Sequence, residues 1–333
     1  MTLPNQQGSA VGGDGDAIAE AGRPGLRARF RAWWEGYDLP DSGQPAEAHD
    51  DSPTPRKAQT QGPARADGKR PDPNAGALDR HGKPLWSATR IEVAEKLWGQ
   101  GFVGPGGADY VPDLVKPLGL DKTMSVLDLS AGLGGVTRLM ATHFGAWVTG
   151  LELSPVLAQK GAEYSEKEGL LRQAPITHFD PNCMVLDRKF DAVFAKEIFF
   201  CLDKEKILAE IRQFLKPGGQ LLFTDYLVAD TIDLSGLAGW AEAERLTPCP
   251  WRPAEAANCL KALGFDVRVA LDMTDVQLKL IMERLGEFHA FLSEHEVDDP
   301  ETKHAITVEV ALWARRAEAL RHGLRLYRVH CLV

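Results

Sequence analysis

Between residues 125 and 226, short runs rich in β-branched and aromatic residues alternate with longer amphipathic stretches, and nothing else in the chain restricts its fold so tightly. The pattern predicts strands at 125–129, 147–151, 176–177, 190–195 and 220–226, with helices at 135–144, 155–169 and 204–215. Strands separated by helices imply βαβ units, hence an α/β fold with a parallel sheet covered by helices on both faces.

The flanks extend this frame. Downstream, a helix is expected at 253–263, a strand at 265–271, helical segments at 274–296 and 300–322, and a last strand in "LRLYRVHCLV". A strand on each side of a helical insertion, about 274–322, suggests a lid lying over the sheet. Upstream, "SATRIEVAEKLWG" reads as a helix with Ser87 as N-cap and Gly99 near its end. Residues 1–80 are rich in Pro, Gly, Ala and Asp and poor in large apolar side chains. Such a segment cannot bury enough surface to offset its ordering entropy and is expected to be a disordered extension, with 81–333 forming the folded domain. Within it, residues 24–40, "PGLRARFRAWWEGYDLP", space Leu26, Phe30, Trp33, Trp34 and Tyr37 as on a helix, with Arg27, Arg29 and Arg31 between. That segment suits contact with a protein or an anionic membrane surface.

Composition narrows the function classes. With 333 residues, 44% of them hydrophobic, the chain can bury a sizeable core. A net charge of −9 argues against sequence-blind binding of nucleic acid. The cysteines (Cys183, Cys201, Cys249, Cys259, Cys331) are scattered without C-x-x-C spacing, and His289 and His295 do not share a helical face, so no metal site is expected. Neither a signal peptide nor an apolar run of about 20 residues is evident, and a soluble, cytoplasmic protein is expected.

The stretch "VLDLSAGLGGVTRLM" places Gly132 and Gly134 where the first strand turns into the first helix. Glycines there let backbone approach a ligand, beside the free N–H groups of a helix start. The third glycine of a dinucleotide fingerprint is replaced by Thr137, which disfavours an NAD-dependent dehydrogenase. Three acids fall at predicted strand ends. Asp128 would repel a pyrophosphate but suits a cationic ligand; Glu152 can take ribose hydroxyls; Asp180 can accept from an adenine amino group. An adenosine ligand that is cationic rather than phosphorylated is S-adenosyl-L-methionine.

Residues 128–134 resemble the glycine-rich motif of the class I S-adenosylmethionine-dependent methyltransferases, with Ser130 replacing the usual first glycine. "FDAVFAKEIFF" and "LKPGGQLLFTDY" resemble the fourth-strand motif and the helix-turn-strand that follows it. From Trp86 onward, the order "LWGQGFVGPGG", glycine loop, "LLFTDYL" and helical insertion looks like the phosphoethanolamine and related small-amine N-methyltransferases. This resemblance implies a Rossmann-like sheet and transfer of a methyl group to a small-molecule acceptor, plausibly at an amine nitrogen. It implies cofactor contacts at Asp128, Ser130, Gly132, Gly134, Glu152 and Asp180.

Along this resemblance, the family's catalytic tyrosine falls on Trp86 and its histidine on Phe200. Its phosphate-holding Arg and Tyr fall near Glu244 and Leu246, with Arg245 between them. These departures point toward an amine without phosphate. The aromatic faces of Trp86, Phe199 and Phe200 would favour a cationic amine, with packing in the core as the alternative for any one of them. Tyr226 and His289 are candidate proton acceptors, and Glu197 a candidate for orienting an ammonium. The arginines of "WARRAEALRHGLRLYR" could bind an anionic acceptor group or form a solvated helical face, the second being the expectation. Two alternatives stand beside this reading: a protein or lipid-headgroup methyltransferase recruited through residues 24–40, and a cofactor-binding protein without catalysis.

Overall fold

A computed structural model of the protein describes residues 78–80 and 82–333. The expectations for the N-terminal extension and for residues 24–40 lie outside the described residues, save for 78–80.

Seven strands form one sheet in the order β3-β2-β1-β4-β5-β7-β6. They are β1 Ser125–Asp128, β2 Trp147–Glu152, β3 Ile176–His178, β4 Phe190–Lys196, β5 Leu215–Val228, β6 Asp266–Asp272 and β7 Leu324–Leu332. The first five run parallel. β7, read from the sequence only as a last strand, lies antiparallel between β5 and β6. The cause is the pair of helices before it, of 21 and 22 residues. Their rises nearly cancel, so the chain re-enters the sheet at the end where β6 finished and must run back.

Among the helices, α1 spans Ala88–Trp98, α2 Gly107–Val115, α3 Gly135–Phe144, α4 Pro155–Lys167 and α5 Lys204–Phe214. They are followed by α6 Ala238–Ala243, α7 Pro253–Ala262, α8 Thr274–Glu294 and α9 Pro300–Arg321. Ser87 caps α1 as expected, accepting the N–H of Arg90 at 3.2 Å. α2 and α6 escaped the sequence reading. α2 starts in a run of glycines and contains Pro112, the composition of a loop. β5 begins five residues before its predicted start, because Leu215 already pairs with Phe190.

The central strands β1 and β4 are buried on both faces, which is why they read as nearly continuous apolar runs, whereas β6 at the edge is exposed along its length. Phe199, Leu221, Phe223 and α5's Ile207, Leu208 and Ile211 form one core. Leu114, Val115, Val126, Met140, Phe194 and Leu222 form the other. Each buried Phe or Leu contributes about 1.5–3 kcal/mol.

Strand order reverses between β1 and β4, the place where open α/β sheets leave a crevice beyond their carboxyl ends. Two helices meet beside it. α1 rests Trp98 edge-on against Trp313 of α9, ring centres 4.6 Å apart. The buried Arg90 of α1 pairs with the buried Glu309 of α9. α8, the other half of the predicted insertion, packs on α9, α1 and β7.

Candidate functional site

β1 ends in Asp128, which is fully buried. Its carboxylate accepts the Ser130 N–H at 3.0 Å and the Thr137 hydroxyl at 2.7 Å, and burial pushes its carboxyl up to about 6. Asp128 therefore ties the loop to the start of α3 and is not among the residues that line the cavity described below. Ser130 Oγ accepts the N–H of Lys196 at 2.7 Å and joins the loop to β4.

Two glycines are required sterically. Gly134 has a φ of 84°, and a Cβ there would sit 2.2 Å from Ile176. A Cβ on Gly135 would lie 2.6 Å from the carbonyl oxygen of Gly101, to which Gly135 donates its own N–H at 3.0 Å. The loop before α2 and the glycine loop are thus in backbone contact.

Glu152, at the end of β2, accepts the N–H groups of Gly132 and Ser154, both at 2.8 Å. Burial pushes its carboxyl up to about 7. Each oxygen keeps a lone pair for a diol. Asp180 is buried beyond β3 and accepts the Asn182 N–H at 2.8 Å. It closes its own turn and is not part of the cavity wall.

A cavity of about 260 Å³ opens at this end of the sheet. Residues 130–133 and Glu152 wall one side, and Phe102, Val103 and Tyr110 cover it. The other end is built by Trp86, Arg90, Phe200, Arg245, Trp313 and Arg316. Glu197, following β4, belongs to the wall as well and carries a left-handed backbone with φ 54°. A non-glycine residue held there is strained, a condition that clusters at functional sites.

The Glu197 carboxylate accepts from Tyr226 Oη at 2.9 Å, Lys196 Nζ at 2.7 Å and Gln277 Nε2 at 3.2 Å. Burial raises its pKa, but Lys196 and then Arg316 outweigh this and hold it below the usual carboxylate range. Arg316 grips Glu244 with two hydrogen bonds, 2.6 and 2.8 Å. Burial and the neighbouring Glu197 raise the Tyr226 phenol well above its ordinary value. Tyr226 donates its hydroxyl to Glu197 at 2.9 Å and holds that carboxylate in place.

Several predicted residues are placed otherwise. Phe199 lies in the core against Phe223, ring centres 5.1 Å apart at 77°. α8 turns Ile281, Leu285, Phe288 and Leu292 inward, which leaves His289 partly exposed and off the cavity wall. Trp86 and Phe200 do wall the cavity, but each already faces a guanidinium: Arg90 at 4.1 Å and Arg316 at 5.8 Å. The reading of the C-terminal arginines as solvated fails for Arg316, which is almost wholly buried. Glu309, Trp313 and Arg316 fall at i, i+4 and i+7 on α9, a stripe visible in the sequence. Nothing local marked Arg90 or Glu244 as its neighbours.

Residues 127–223 match the methyltransferase domain family. A phosphoethanolamine N-methyltransferase of Zea mays is 28% identical over 220 residues, 64% of this chain and 43% of its own length. A glycine/sarcosine/dimethylglycine N-methyltransferase of Actinopolyspora halophila is 29% identical over 149 residues, 44% of this chain and 26% of its own. The chain therefore spans less than half the length of these relatives. Among solved structures, the phosphoethanolamine N-methyltransferase 2 of Haemonchus contortus, in complex with phosphomonomethylethanolamine and S-adenosylhomocysteine, shares the fold. Its TM-score is 0.63 at 22% identity, covering 75% of this chain and 62% of that one. Among the described residues no helix is long and apolar enough to cross a membrane. By sheet order, glycine loop and the match over 127–223, this chain is similar to the methyltransferase domain family and, within it, to the phosphoethanolamine N-methyltransferases.

Proposed function

We propose that the protein transfers the methyl group of S-adenosyl-L-methionine to the nitrogen of a small amine that also bears an acid group. The observation that carries this is the charge balance of the cavity. Arg90 pairs with Glu309, Arg316 with Glu244 and Lys196 with Glu197. Arg245 donates to the carbonyls of Pro84 and Leu85 at 2.9 and 3.0 Å, and no described carboxylate forms an ion pair with it. One guanidinium is left for an anionic group of the acceptor. The relatives named above act on amines that carry phosphate or carboxylate, which supports this over an amine without an acid group.

The cofactor side fits a cation. Glu152, on the cavity wall, is a carboxyl raised by burial to about 7 with no ion pair among the described residues, a setting that disfavours a pyrophosphate. Glu152 would hold the ribose hydroxyls and the glycine-loop backbone the rest of the nucleoside, with Asp128 fixing that loop. When bound, the cofactor supplies an electrophilic methyl on a sulfonium. The ionised Glu197 accepts a hydrogen bond from the acceptor nitrogen and turns its lone pair toward the loop, while Phe102, Val103 and Trp313 exclude water.

The test is release of S-adenosylhomocysteine across amines with and without an acid group. Acid-bearing amines are expected to turn over best. Arg245→Ala is expected to raise KM about 10- to 100-fold, the worth of a charged hydrogen bond, with cofactor affinity unchanged. Equal turnover of amines lacking the acid group, or an unaltered KM in Arg245→Ala, overturns the reading. A chain lacking residues 1–77 is expected to keep this turnover. Its loss on a protein or lipid target alone would favour recruitment through residues 24–40.

A further inference from the structure

The far end of the cavity contains an aromatic recess backed by carboxylates, and the chain fills it with its own cation. Arg316 Cζ lies 4.5 Å from the ring centre of Trp313, 5.5 Å from Tyr226 and 5.8 Å from Phe200. Its Nη1 is 3.9 Å from Glu197, beside the two short bonds to Glu244. Trp240 donates Nε1 to Glu244 at 2.7 Å, with its ring centre 6.0 Å from that of Phe200. Ring faces around a delocalised charge, with carboxylates behind them, are the surroundings in which proteins bind methylated ammonium groups. Trp313, Phe200, Glu197, Glu244 and Arg316 all wall the cavity, so the recess and the acceptor share one space.

We propose that Arg316 is a specificity-determining residue: its guanidinium occupies this recess in place of a quaternary ammonium and keeps such compounds out of the cavity. The arrangement is closed because Arg316 satisfies Glu244 bidentately and an arginine head cannot shed its proton. A consequence, which rests on the function proposed above, is that methylation stops before the quaternary stage, since a fixed onium charge finds its seat taken.

The test uses the full chain, without cofactor, and tetramethylammonium chloride as probe against equal potassium chloride. Readouts are tryptophan fluorescence, which Trp313 and Trp240 report, and the thermal unfolding midpoint. Wild type is expected to show no saturable response. Arg316→Ala is expected to bind the probe at least tenfold more tightly than any wild-type response and to gain thermal stability from it. Arg316→Gln, whose amide can donate to Glu244, is expected to bind it as well and is the deciding variant if Arg316→Ala does not fold. Binding to wild type as tight as to the variants overturns the proposal, as does a lack of binding to Arg316→Gln. Because no methyl transfer is read, failure here is distinct from failure of the proposed reaction.

Discussion

Gly135 shows how one missing side chain can hold two loops together. Its hydrogen lies where a Cβ would press on the Gly101 carbonyl and the Phe102 ring, at 2.6 and 2.8 Å. Gly135→Ala is expected to push the loop before α2 away from the glycine loop. Overpacking of this kind costs about 1–3 kcal/mol, and S-adenosylhomocysteine affinity, measured by calorimetry, should fall at least tenfold. Unchanged affinity would mean that the two loops are not jointly part of the cofactor site. Glu197 makes the complementary point: its strained backbone and its paired carboxylate stand at the end of β4, where the chain leaves the sheet.

Helices α1 and α9 come from opposite ends of the described chain and meet through the Arg90–Glu309 pair. Glu309 also accepts from Trp313 Nε1 at 3.2 Å, and Arg90 donates to the Leu85 carbonyl. Removing one partner leaves the other charge buried and unpaired, so Glu309→Ala is expected to destabilise the protein by about 3–5 kcal/mol in denaturant unfolding. Replacing both, as in Arg90→Met with Glu309→Leu, should recover most of that loss, because no isolated charge then remains. A double variant as unstable as the single one would show that the pair holds the helices by more than its own neutralisation.

Over the whole molecule, three buried acids set the response to pH. Burial raises Asp128 to about 6, Glu152 to about 7 and Asp225 to about 8, so the folded state keeps their protons longer than the unfolded chain does. Their contribution to stability is complete below the ordinary carboxylate range and is lost progressively from there up to about 8. The unfolding midpoint of the cofactor-free protein is expected to decline across that interval. Asp225→Asn keeps an oxygen for the Phe200 N–H, which Asp225 accepts at 3.1 Å, and should flatten the upper part of the decline. A profile identical to wild type would remove Asp225 from this account. Glu197 acts in the opposite sense: Lys196 and Arg316 lower its pKa against burial, so its share is lost only on acidification below the usual carboxylate range.

The alternation of strands and helices, the glycine turn and the acids at strand ends were legible along the chain because each depends on neighbours a few residues away. Periodicity reports which face is buried, and a turn reports the backbone it needs. Hence the central strands, α3 and α4 lie within a few residues of expectation, and Glu152 at the end of β2 is among the cavity-lining residues. The direction of β7, the placement of Phe199 in the core and the burial of Arg316 were not legible in that way. They depend on the equal lengths of α8 and α9, and on Glu244 lying 72 residues from Arg316. A charge on a helix reads the same whether it meets water or a distant carboxylate, and folding alone brings that carboxylate to it.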